Sequence, residues 1–181
     1  MKSCILAPLG ACALSVSIAF TAAAAPAKTT APAARAAVRA PSGEASIEAL
    51  EHRFAAAFRA RDLSGVMSVY SPDVFVFDLV PPRQYVGAAA YRKDWVALFA
   101  QSKGPIKFDV QDLKIVVSGD MAYSHSIQPT VWTSIKGQPV AATVRVTDVY
   151  RKVGGAWKIV QEHVSVPVDL ATGKPDMTSA P

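Results

Sequence analysis

The spacing of apolar residues changes character along this chain. Ile47, Leu50, Phe54, Ala57 and Phe58 recur at helical spacing and predict one amphipathic helix. Leu63, Val66, Met67 and Tyr70 repeat the pattern after Asp62, which is suited to cap a second, short helix. Ser71-Pro72-Asp73 then reads as a break, and residues 74–79 (VFVFDL), rich in β-branched and aromatic side chains, read as a strand that Pro81-Pro82 ends. A brief extended piece at 84–86 leads to Gly87, and Tyr91, Trp95, Leu98 and Phe99 form a third helical stripe. Beyond Pro105 the period is two. Strands are predicted at 106–117, 122–132, 139–152 and 156–166, with turns at Ser118-Gly119-Asp120, Lys136-Gly137 and Gly154-Gly155. The order ααββαββββ, with successive strands joined by tight turns, predicts an antiparallel sheet covered on one face by three helices: an α+β fold.

The amino end has a different pattern. Lys2 is the only charge before Lys28, residues 5–20 are apolar, and Ala22 to Ala25 supply the small residues of a signal peptidase site. We read 1–24 as a signal peptide, 25–45 as an Ala/Pro-rich linker, 46–169 as the folded domain and 170–181 as a flexible tail. The expectation is a periplasmic or secreted protein with no transmembrane span after cleavage. The alternative, an uncleaved anchor, is disfavoured by Pro8 and Gly10. Both cysteines, Cys4 and Cys12, lie in the signal, so the mature chain has no disulfide, thiolate metal ligand or cysteine nucleophile.

Composition narrows the class further. A chain of 181 residues, 51% hydrophobic and 18% charged, holds about one domain, which excludes a two-domain dinucleotide enzyme or a (β/α)8 barrel. The net charge of +5 suggests polyanion binding at first sight. Residues 46–169, however, carry 14 basic and 12 acidic side chains with no basic run, which argues against nucleic acid. No phosphate-binding glycine loop, GxSxG or HExxH is present, and His125 with His163 lacks a third ligand at recognisable spacing, so no metal is expected.

The last two strands carry the most specific signal: Arg145-Val-Thr-Asp, then Arg151-Lys152, a Gly-Gly turn, and Trp157-Lys-Ile-Val-Gln-Glu162-His163-Val-Ser165. With the element order, this resembles the SnoaL-like members of the nuclear transport factor 2-like superfamily, over Ser46 to Asp169. The resemblance implies a cystatin-like cone, a curved antiparallel sheet wrapped around three helices with a small-molecule pocket. It also implies no cofactor and homodimerisation through the open sheet face. Relatives of this fold include ketosteroid isomerase, scytalone dehydratase, limonene-epoxide hydrolase, polyketide cyclases and non-catalytic association domains, so the resemblance implies a pocket rather than one reaction.

A two-residue turn at Gly154-Gly155 sets a register for these strands. It puts Arg145, Thr147 and Glu162 on one face and Asp148, Gln161 and His163 on the other. The pattern assigns neither face to the interior, and a longer turn would change the pairing. Arg145 with Glu162 reads as an arginine gripping an oxygen anion beside a base, or as a plain cross-strand ion pair. His163 with Asp148 reads as an oriented general base, or as a half-buried histidine. Asp78, among Val76, Phe77 and Leu79, is a candidate proton shuttle whose pKa burial would raise, or a strand-end turn residue. Tyr85, Tyr91, Trp95, Phe99 and Trp132 are aromatic wall candidates or core, and His125 a further pocket candidate. The reading is a pocket domain. It either performs proton-transfer chemistry (isomerase, dehydratase, cyclase or hydrolase type) on a small hydrophobic molecule, with Asp78 or His163 as base, or binds a ligand or protein without chemistry.

Overall fold

The computed structural model describes residues 41–179. The predicted signal peptide and most of the predicted linker lie outside the described residues. Helix α1 (Gly43–Ala60) starts four residues before the first residue of the apolar stripe, because Ser42 caps it, its side chain accepting from Ala45 N at 3.2 Å. The helix ends at Arg61, in the left-handed conformation with φ 56°. Asp62 caps α2 (Leu63–Met67) through Gly65 N at 3.0 Å, as the sequence suggested.

Strand β1 (Tyr70–Phe77) absorbs the Ser71-Pro72-Asp73 segment that reads as a break. Pro72 is tolerated because the neighbouring strand β2 (Tyr85–Val86) pairs only with Phe75 and Val76, leaving the proline on an unpaired edge. Gly87, at φ 83°, turns the chain into α3 (Ala88–Gln101), a backbone conformation that favours glycine. The long strand expected at 106–117 is two strands, β3 (Ser102–Phe108) and β4 (Gln111–Ser118). Both pair antiparallel with β5 (Met121–Ser134), and Asp112 takes φ 51° near the break. β6 (Pro139–Val153) and β7 (Ala156–Ser165) complete a sheet of order β2-β1-β7-β6-β5-β3, with β4 also on β5.

Two features of this sheet determine the site. First, β1 and β7 run parallel, whereas every other pair is antiparallel. This pairing sets Val76 beside Glu162 and Phe77 beside His163. Second, the β6–β7 ladder changes register. Gly154 and Gly155 both take positive φ and form the expected two-residue turn, with Val153 opposite Ala156 and Tyr150 opposite Ile159. Beyond that, Val149 pairs with Gln161, so Val160 is an extra residue, a β-bulge. A one-residue shift moves every later side chain to the other face. Asp148 therefore faces Glu162, and Thr147 faces His163.

The helices pack on the concave face through an aromatic cluster in which Phe58 lies 4.7 Å from Phe108 and 5.1 Å from Trp95. The tail also departs from its composition. Met177 O accepts from Thr143 N at 2.7 Å on β6, and Val168 bridges Pro175, so residues 167–177 fold back onto the sheet. Among the described residues no helix is long and apolar enough to cross a membrane.

Candidate functional site

Between the helices and the concave sheet face lies a cavity of about 720 Å³. Its walls are largely apolar: Phe54 and Phe58 from α1, Trp95 from α3, Phe108 from β3, Trp132 from β5 and Val146 from β6. Val166 and the returning tail residues Pro175 and Met177 also contribute. The ionisable groups on its surface are Asp78, Tyr91, Asp94 and Glu162. Among the described residues, no Lys, Arg or His lines it.

Tyr91 holds the acids together. Its hydroxyl lies 2.6 Å from Glu162 Oε1 and 3.0 Å from Asp78 Oδ2. A tyrosine hydroxyl has one hydrogen to donate. If both contacts are hydrogen bonds, one of the two carboxyls carries a proton and donates it back to the tyrosine oxygen. Burial supplies that proton. Glu162 is 5% exposed, and desolvation pushes its pKa up to about 7, against the opposing pull of the Tyr91 hydrogen bond. Desolvation also raises Asp78, opposed by the hydrogen bonds from Leu79 N and Tyr91. Tyr70 donates to the second oxygen of Glu162 at 2.8 Å.

A second group of acids sits behind Glu162. Asp148 is 2% exposed, and its Oδ1 has no hydrogen-bond donor among the described residues. Burial, then the negative charges of Glu162 and Glu51, hold its pKa well above the carboxylate range. A protonated Asp148 suits this position, because it faces Glu162 across the ladder, where two ionised carboxylates would repel each other. Tyr150 then links onward, its hydroxyl 2.8 Å from Glu51 Oε1 and 2.7 Å from Ser124 Oγ. Glu51 is buried and its pKa is also pushed up to about 7 by desolvation.

The structure distributes the predicted site residues unevenly. Asp78, Trp95 and Glu162 line the cavity, and Asp148 stands directly behind Glu162. Tyr85 is buried outside the wall and holds a wall residue in place, donating to Asp94 Oδ1 at 3.0 Å. Arg145, His125 and His163 do not line the cavity. All three are exposed on the convex face, where His163 packs its ring 5.5 Å from Phe77. The expected Arg145–Glu162 and Asp148–His163 pairs therefore do not form, because the bulge at Val160 places their members on opposite faces. Sequence reasoning missed Glu51, Tyr70, Asp94 and Tyr150. For Glu51 a signal existed: it occupies the apolar stripe of α1, four residues after Ile47 and three before Phe54.

Comparison with known proteins agrees with this architecture. Residues 47–169 match the family model of the SnoaL-like domain. A nuclear transport factor 2-like protein of unknown function from Pseudomonas putida KT2440 is 30% identical, covering 77% of this chain and 99% of that one, with a TM-score of 0.69. Two more distant structures share the fold. One is a ketosteroid isomerase-like protein from Erwinia carotovora atroseptica, 21% identical over 67% of this chain and 93% of its own, with a TM-score of 0.59. The other is a candidate scytalone dehydratase from Novosphingobium aromaticivorans, 17% identical over 69% and 84%, with a TM-score of 0.62. No curated protein matches the chain. A family match that runs from α1 to the far side of β7, on a cone with an acid-lined cavity, makes this chain a member of the SnoaL-like family.

Proposed function

We propose that the domain binds a small, largely apolar molecule in the cavity and moves a proton on it with Asp78, Tyr91 and Glu162. The observation that carries this reading is the Tyr91 hydroxyl shared between two cavity carboxyls at 2.6 and 3.0 Å. Such a pair needs only one acidic proton between its two carboxyls. The ionised member acts as general base, the protonated member as general acid, and Tyr91 exchanges the roles by passing its hydrogen from one to the other. A pKa near 7 suits both duties at neutral pH. Isomerisation, dehydration, cyclisation and hydrolysis can each be served by a paired base and acid, and a solved neighbour described as ketosteroid isomerase-like supports the class. On this reading Asp78 is the base, and His163 has no part in the chemistry.

The test is solvent deuterium exchange. Small cyclic and aryl ketones are incubated with the protein in D2O, and loss of the proton beside the carbonyl is followed by NMR. The expected result is exchange that Asp78→Asn and Glu162→Gln each reduce by about 100-fold or more. Ligands that bind without exchanging any proton would overturn it.

A second reading, a non-catalytic dimeric module, is favoured by the convex face. Phe77, Tyr123 and Val131 are 38%, 47% and 43% exposed there, an apolar surface suited to a partner or a second copy. In either reading we infer export, on the strength of the amino-terminal sequence pattern.

A further inference from the structure

The cavity has an unusual balance of charge. Three carboxyl groups reach its surface, from Asp78, Asp94 and Glu162, and among the described residues no cationic side chain does. Burial pushes such carboxyls toward the protonated form, and a positive charge beside them favours the ionised one. The protein supplies none at the wall, so the ligand is the available source. A ligand bearing a carboxylate or phosphate meets the opposite situation: three acids and no counter-charge.

A further observation bears on the same space. Aromatic side chains line it, from Phe54, Phe58, Trp95 and Phe108, and aromatic rings favour a desolvated ammonium group.

Resting on the pocket reading above, we propose that the cavity takes a hydrophobic amine, bound as its ammonium ion against Asp78, Asp94 and Glu162. The ammonium donates to the carboxylates and, in doing so, drives off the proton that Asp78 and Glu162 share through Tyr91. Asp148, Tyr150 and Glu51 lie behind Glu162, Tyr70 donates to it from β1, and Tyr85 holds Asp94 from the side. All are acids or neutral donors, so none competes with the ligand as a cation. Binding is therefore coupled to proton release, and the preference for amines weakens as pH falls.

Isothermal titration of the protein with matched primary amines, alcohols and carboxylates tests this, each set built on phenethyl, adamantyl and biphenylmethyl frames. The expected result is that amines bind about tenfold or more tightly than the matching alcohols, while carboxylates bind least. Titrations in buffers of different ionisation enthalpy should show proton release on amine binding and none with the alcohols. Glu162→Gln and Asp78→Asn should each narrow the amine preference while alcohol binding persists, which shows that the cavity is still folded. Alcohols equal to amines on every frame, tighter binding of the carboxylates, or no binding of any amine would overturn the proposal. Ketone exchange in D2O that survives those outcomes would leave the proton-transfer reading standing alone.

Discussion

Asp148 and Glu162 face each other across β6 and β7, both buried, because Val160 bulges out of the ladder between them and the hairpin turn. Without that bulge Glu162 would point to solvent and His163 to the interior. The site is therefore a consequence of one extra residue. Glu162, placed inward, meets the hydroxyls of Tyr70 and Tyr91 and the carboxyl of Asp148, and no lysine, arginine or histidine lines the cavity it faces among the described residues.

The bulge can be tested directly. Deleting Val160 removes the extra residue and leaves a regular ladder in which Asp148 still faces Glu162, so Glu162 stays inward and His163 outward. The expected cost is modest, about 1–2 kcal/mol. Denaturant unfolding followed by tryptophan fluorescence measures it, and a loss of about 4 kcal/mol or more, as turning Glu162 out and His163 in would bring, would refute the register.

The buried acids predict an unusual pH dependence. Glu162 and Glu51 have pKa values near 7 in the folded chain and an ordinary value of 4.5, with burial the leading cause in both. Between about pH 4.5 and 7 the folded state holds protons that the unfolded state has released, so stability is greatest on the acid side and falls as pH rises through that window. The difference is up to about 3 kcal/mol for Glu162 alone. Calorimetry should show the melting temperature rising by several degrees from pH 7 to pH 5. Glu51→Gln and Glu162→Gln should each flatten the slope.

Tyr91→Phe removes one oxygen and keeps the ring that packs against Tyr70 at 5.3 Å and Trp95 at 5.9 Å. Asp78 and Glu162 then lose their bridge. We expect a stability loss of about 1–3 kcal/mol from the unsatisfied buried carboxyls. The ketone exchange rate should fall with it while apolar ligands still bind, a split that thermal shift and NMR read separately.

On the convex face the expectation is silence at the cavity. Arg145→Ala, His125→Ala and His163→Ala should each change stability by less than about 0.5 kcal/mol and leave cavity ligands unaffected. A loss of binding in any of them would mean that the site extends to the outer face. If the domain dimerises through this surface, the same variants should instead alter its sedimentation.

Much of the fold is legible in local pattern. The stripes of α1 and α3, the Asp62 cap and the Gly154-Gly155 turn depend on neighbours a few residues away, and spacing reports such contacts directly. The two strands within 102–118 were not legible as separate, because an alternating apolar pattern survives an irregularity that only pairing with β5 displays.

The site divides along the same line. Composition and pattern determined that an α+β domain follows an apolar amino-terminal stretch, and that Asp78 falls at the end of a buried strand. Tertiary structure alone decided which acids share the cavity. β1 had to pair in parallel with a strand more than eighty residues later to bring Asp78 and Glu162 to one tyrosine. A bulge had to exchange Glu162 for His163. Side-chain direction along a strand depends on pairing register, register depends on partners distant in sequence, and a period-two pattern holds no record of where it slips.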